Sequence, residues 1–288
     1  MRITSVAAGS DLPVLNTAPL HRLNSLARGA ARFTLTPAHG VILTACFIAS
    51  IGIAEAQVQA GHPGVLATLW KWMPLIMKGF VFNIAISFLA MAIGTFFGTF
   101  LGLAQIALFR PLRGGAWFAT HFFRNAPWLV LLFYCMFLLP FKFTLFGVTV
   151  PFPDWMKATL GLSLPVMANV SEIVRGAIQS IPTGQWESAY SLAFTRRQTL
   201  WMIILPQGVK RMLPPWMNVY CILAVGTVLA SVVGVQEVMT LTSDALGSEN
   251  RPELLMPFYG FVLLLFFAYC YPIARWTVAM ERKYAVKI

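Results

Sequence analysis

Between Lys78 and Arg110 the chain carries no Asp, Glu, Lys or Arg, a run well beyond the ~20 apolar residues that take a helix across the hydrocarbon core of a bilayer. The pattern recurs along the chain. Further weakly charged stretches lie between Arg32 and Glu55, from about Gly115 through Arg124 to Pro140, and from about Trp155 to Gly176. Two more run from about Met212 to Gln236 and from about Leu254 to Ala274. The Trp155–Gly176 stretch is the least apolar, with Pro165 inside it and Glu172 and Arg175 at its end. Hydrophobic residues make up 58% of the chain and charged residues 11%, against about 25% charged in a soluble domain. Aromatic residues reach 14%, which excludes a disordered chain. The expectation is an all-α integral membrane protein with about six transmembrane helices.

Orientation follows from the excess of Lys and Arg in loops retained in the cytoplasm. Lys and Arg total 21 against 10 acidic residues, a net charge of +11, and the basic residues fall between the apolar runs, a topology signal and not a nucleic-acid-binding face. With a cytoplasmic N-terminus, the inner loops receive Arg110, Arg113, Arg124, Arg175, Arg196, Arg197, Lys210, Arg211, Arg275, Arg282 and Lys283. The outer ones receive Lys71, Lys78, Lys142, Lys157 and Arg251. Residues 1–36 read as a basic cytoplasmic extension, 37–56 as a first span, and 284–288 as a cytoplasmic tail. The cysteines Cys46, Cys135, Cys221 and Cys270 lie in apolar runs, and the histidines are widely separated. Neither a disulfide framework nor a metal site is expected.

The segment from about 178 to 210 is too polar to span and too patterned for a plain linker. Pro182 and Gly184 punctuate its start, and Trp186, Ala189, Tyr190 and Ala193 recur at helical spacing. Thr195 with Gln198 three residues on has the form of a capping box opening a second helix, which Pro206 is expected to interrupt.

Glu187-Ser188-Ala189, Ala193, Ile203 and Leu205-Pro206 resemble, in spacing, the Glu-Ala-Ala…Gly…Ile-x-Leu-Pro loop of permease subunits from ATP-binding-cassette (ABC) importers. The runs from Ser171 to Ala189, Ile204 to Gln207, Leu213 to Asn218, Leu229 to Glu237 and Met280 to Lys283, with Arg124 to Pro127, resemble its polar amino acid uptake branch. The resemblance covers about 79–283. It implies a type I importer transmembrane-domain fold with a cytoplasmic coupling helix that docks on a separate ATPase. Trp186, Glu187, Ser188, Ala189, Tyr190, Ala193, Ile203, Leu205 and Pro206 would form the coupling loop. It also implies a second permease subunit, an extracytoplasmic solute-binding protein, and a bacterial inner-membrane location with both termini in the cytoplasm. The chain has no Gly-x-x-x-x-Gly-Lys-Ser/Thr phosphate loop, so it is expected to bind no cofactor and catalyse nothing, with ATP and Mg on the partner.

The sequence departs from the family pattern at several positions, most mildly at Ser188, which replaces the usual second Ala. Ala193 replaces the usual Gly, which implies a more continuously helical loop, because positive φ is easy only for Gly. Val225 and Gly226 replace a Lys-Asp pair, and Asn169 stands where Tyr is common. Asn169, Ser171, Thr227 and Ser231 are candidates to line a translocation path, since polar groups in hydrocarbon face protein or water; helix-to-helix hydrogen bonds would account for them equally. Gly94, Gly98 and Gly102 share one helix face and suit close helix packing. The function implied is import of a polar solute, an amino acid or a related compound. A non-transporting scaffold with the permease fold and a secondary carrier are the rival readings; the second would call for intramembrane charges.

Overall fold

The computed structural model describes residues 37–58, 62–145 and 148–284. The basic extension 1–36 and the last residues of the tail lie outside this range. Helix α1 (Pro37–Glu55) turns into α2 (Val65–Gln105) at a corner closed by the Glu55 carboxylate, which accepts the Val65 N–H at 2.8 Å. With 41 residues, α2 is about 60 Å long at 1.5 Å per residue, twice the ~30 Å hydrocarbon thickness. It begins well before Lys78, where the charge-free run starts, and Lys71 and Lys78 both lie towards its N-terminal end.

The third stretch is not one straight crossing. Helix α3 (Arg110–Asn125) and helix α4 (Trp128–Leu138) meet at 105°. Ala126 and Pro127 between them are extended, with ψ 137° and 129°, as the ring of Pro127 requires of the residue before it. After α4 comes a short antiparallel hairpin, β1 (Lys142–Leu145) and β2 (Val148–Pro151), paired Lys142 to Pro151 and Leu145 to Val148. A purely helical expectation did not include it.

Helix α5 (Asp154–Gln179) packs against α2, α3 and α4. Among the described residues, four helices are long and apolar enough to span, five if the bent α3–α4 pair counts as one; α5 is too polar to qualify. Its neighbours explain this. A helix screened from lipid on most sides needs no apolar perimeter, and Leu162, Val166, Val170 and Val174 are buried in the main core. The approach to α2 is close: a Cβ on Gly98 would stand 2.6 Å from Met167 O, and one on Gly102 2.7 Å from Ser171 O.

Beyond α5 lie a short helix, α6 (Thr183–Ser191), and the turn α7 (Arg196–Gln198). A π-helical turn (Thr199–Ile204) joins α7 to α8 (Leu205–Gly226). Pro206 therefore does not interrupt the helix. Widening just before it takes up the misfit: Leu205 N–H reaches back five residues to Leu200 O, a bond of π type. After a 3-10 stretch (Thr227–Val233) come α9 (Val238–Glu249) and α10 (Leu255–Tyr284). At the end remote from α6, Lys71 Nζ and Trp72 Nε1 both donate to Glu249 Oε1 at 2.7 Å. The Lys71 ammonium and then the Trp72 N–H hold that carboxyl below the ordinary range. A second core gathers at this end, with Val65, Ile76, Phe80, Val238, Leu254 and Phe258.

Candidate functional site

Helix α6 begins after Pro182, whose fixed φ suits a helix start. Its end is closed by two bonds: Phe194 N–H to Ala189 O at 3.1 Å and Ala193 N–H to Tyr190 O at 2.9 Å. This is a Schellman pairing, which requires a left-handed residue after the cap. Ala193 supplies it with φ 57°, at a cost of about 1–2 kcal/mol for a residue with a Cβ. The expectation of a straightened loop is thus corrected: the turn survives the loss of Gly. Immediately downstream the capping box forms. Gln198 N–H donates to Thr195 Oγ1 at 3.3 Å, and Thr195 N–H donates to Gln198 Oε1 at 2.9 Å.

The two faces of α6 differ. Ala189 is buried, and Trp186 is half-buried against the bundle core beside Leu200 and Ile203. Glu187 and Ser188 face outward, with Tyr190 50% exposed and, at the cap, Leu192 72% exposed. The outward apolar groups are therefore Tyr190 and Leu192, while Trp186 turns inward. Of the remaining loop positions, Leu205 is half-buried and Pro206 exposed. Three contacts tie this unit to the long helices: Gln207 Nε2 to Gln185 Oε1 at 3.2 Å, Arg211 Nη1 to Ser180 Oγ at 2.9 Å, and Arg196 Nη2 to Ile106 O at 3.1 Å.

Above α6 a cleft of about 460 Å³ opens between α5 and α8, lined by Asn169, Glu172, Gly176, Arg211 and Asn218, among others. Asn169 places its amide near Pro165 O, donating at 2.8 Å. Glu172 pairs with Arg175 at 2.6 Å and lies 3.4 Å from Arg124. The other polar residues singled out in the sequence are elsewhere. Ser171 is fully buried at the junction of α2, α3 and α5, 2.8 Å from Thr120 Oγ1 and accepting from Gln105 Nε2 at 3.1 Å. Ser231 is half-buried and donates to Val228 O.

Thr227 belongs to a network that sequence reasoning missed. Asn83 of α2 donates to Thr227 Oγ1 at 3.0 Å and to Glu237 Oε2 at 2.8 Å, while its carbonyl takes the Val238 N–H at 3.0 Å. The other oxygen of Glu237 caps α9, accepting Met239 N–H and Thr240 N–H. All three side chains are buried.

The family described as the binding-protein-dependent transport system inner membrane component matches residues 94–283. The probable amino-acid ABC transporter permease protein YckA of Bacillus subtilis is 34% identical over 74% of this chain and 90% of its own length. The chain belongs to this permease family. The L-cystine transport system permease protein TcyB of the same organism is 31% identical over 74% of this chain and 88% of its own. Among solved structures, an amino acid ABC transporter crystallised with histidines superposes with a TM-score of 0.66 at 24% identity, covering 75% of this chain and 97% of that one. That likeness concerns the fold. The protein is accordingly a multi-pass membrane permease subunit of an ABC importer.

For a permease of this family the departure at Gly226 has a steric counterpart. A Cβ there would lie 2.9 Å from the Trp128 ring, so the first residue of α4 occupies the space a charged side chain would need.

Proposed function

We propose that this permease passes a polar amino acid or a close chemical relative into the cytoplasm of a bacterium across the inner membrane, driven by ATP hydrolysed on a separate subunit docked at α6. The observation that carries this reading is the design of α6. A short helix stands outside the bundle, fixed by a left-handed turn and a capping box, with Glu187, Tyr190 and Leu192 facing outward. An apolar pair with a charge beside it suits a groove on a partner protein. The names of YckA and TcyB support the substrate class. The cleft holding Asn169, Glu172, Arg211 and Asn218 offers both signs of charge, as a zwitterionic solute demands. Ser171 and Thr227 hold helices together, and the cleft residues line the path. In this reading the termini and α6 are cytoplasmic, a second permease completes the path, an outer binding protein delivers the solute, and ATP with Mg stays on the partner.

The test is uptake in proteoliposomes containing the permease, its ATPase and its binding protein. Glu187→Ala and Glu187→Lys should cut uptake by about tenfold or more while membrane insertion is unchanged, the size expected when a charged interface contact worth 1.5–3 kcal/mol is lost. Unchanged uptake in both variants would overturn the docking role of α6.

A further inference from the structure

From Pro215 to Val233, along α8 and the 3-10 stretch that follows it, every exposed residue falls on one stripe. The stripe starts at Arg211 and steps alternately by four and three residues through Pro215, Asn218, Ile222, Val225, Leu229 and Val232. Leu229 is half-buried, while Ile222, Val225 and Val232 are 52, 49 and 56% exposed. Among the intervening residues Tyr220 and Leu223 belong to the core, Thr227 accepts from Asn83, and Ser231 donates to Val228 O. Alternating steps of four and three average 3.5 residues, the period of a seam that one helix presents to another along its length. A lipid chain asks for no such register.

The polar half of the stripe restricts what can cover it. Arg211, Pro215 and Asn218 line the cleft, so this face meets water or protein and not hydrocarbon. Ile222 follows Asn218 by about one turn on the same face. Beyond Asn218 the stripe holds no charged or polar side chain as far as Val232. About a two-fold axis along the membrane normal, each residue of such a stripe meets its own counterpart, and aliphatic side chains do so with no like charges opposed. An aliphatic stretch in line with a polar cleft is also a barrier, since a hydrophobic constriction closes by dewetting. We propose that α8 pairs along this stripe with a second copy of this chain, and that Ile222, Val225 and Val232 of the two copies close the path on the side remote from α6. The pairing rests on the reading that a second permease completes the path, and it names that permease and the surface that joins it.

The experiment is disulfide crosslinking of the full chain in native membranes, with two differently tagged copies expressed together. Ile222→Cys, Val225→Cys and Val232→Cys are each made in a background without the four native cysteines. Copper phenanthroline should give, at each of these positions, a dimer-sized product that carries both tags. Cys221 kept alone, about 100° round the helix from Ile222, should give none. Reconstituted with its ATPase and binding protein, Val225→Cys should take up amino acid when reduced, lose uptake on oxidation and regain it with dithiothreitol. No product at any stripe position, equal product from Cys221, or crosslinking only to a different permease would each overturn the pairing. A fully crosslinked Val225→Cys that still transports would overturn the gate. The crosslink reads the pairing whatever solute is moved, so absence of ATP-driven amino acid uptake by the cysteine-free parent would count against the transport reading alone.

Discussion

At the scale of single residues, the most demanding arrangement is the buried trio of Asn83, Thr227 and Glu237. A carboxylate withdrawn from water is tolerable only when its oxygens accept hydrogen bonds, and Glu237 accepts three, from Asn83 Nδ2, Met239 N–H and Thr240 N–H. The roles of Asn83 and Glu237 are therefore fixed as donor and acceptor. Glu237→Gln sets an amide NH2 against the Asn83 NH2, and Asn83→Asp sets two carboxylates together; each should destabilise the fold by about 1–3 kcal/mol, the usual cost of an unsatisfied buried polar group. The double variant Asn83→Asp with Glu237→Gln reverses donor and acceptor. It leaves an oxygen for the Val238 N–H, so most of the loss should be recovered. Thermal unfolding of the four proteins in detergent measures the coupling, and strictly additive losses would show that the contact does not hold the fold. Nothing local in the sequence announces this trio, since Asn83 and Glu237 are 154 positions apart. The capping box was legible because its partners are three residues apart. Ala193 was misread for the opposite reason: propensity disfavours a left-handed alanine, but the two Schellman bonds it closes and the packing of Trp186 and Ala189 outweigh a cost of about 1–2 kcal/mol.

At the scale of elements, the charge-free runs located the spans, but their ends were set by contacts that composition does not record. Helix α2 extends outward past Lys78 because Lys71 and Trp72 find Glu249. The third run is broken because Pro127 forces the chain to extend between Asn125 and Trp128. Helix α5 is the instructive case, reading as the weakest span and standing at the centre of the bundle. Its seat on α2 depends on Gly98 and Gly102, where an added methyl would meet backbone oxygens of α5. Backbone cannot rotate out of the way as a side-chain tip can. Gly98→Ala should therefore lower stability by about 1–3 kcal/mol, the range for overpacking a filled interior. Gly114→Ala in α3, where a Cβ meets nothing within 4 Å, should be neutral or stabilising by up to about 1 kcal/mol through helix propensity. Denaturation midpoints of the two variants in the same detergent compare the effects. Equal behaviour would mean that the α2–α5 contact is looser than its geometry implies.

At the scale of the whole molecule, the outward-facing helix and the polar cleft are borne by the same two long helices. Helix α5 runs from the cleft wall at Asn169 and Glu172 down to Ser180 at the mouth of α6, and α8 runs from Arg211 to Asn218 up the opposite wall. Arg211 spans the base of both, donating to Ser180 Oγ at 2.9 Å while also lining the cleft. A displacement of α6 imposed by a partner would thus reach the cleft through this one guanidinium and through Gln207, which holds Gln185 of α6 at 3.2 Å. If that is the transmission, cutting it should separate the two activities and not abolish both. Arg211→Ala should leave ATP hydrolysis by the reconstituted complex within about twofold of wild type, since α6 keeps its outward face. Solute moved per ATP should fall about tenfold, the equivalent of a charge-assisted hydrogen bond worth 1.5–3 kcal/mol. Because Arg211 also faces the cleft, a loss of solute recognition has to be told apart from a loss of transmission. Raising external solute rescues the first and leaves the second unchanged. Parallel loss of hydrolysis and uptake would instead place Arg211 in the docking of the ATPase, and full rescue by solute would place it in the path alone.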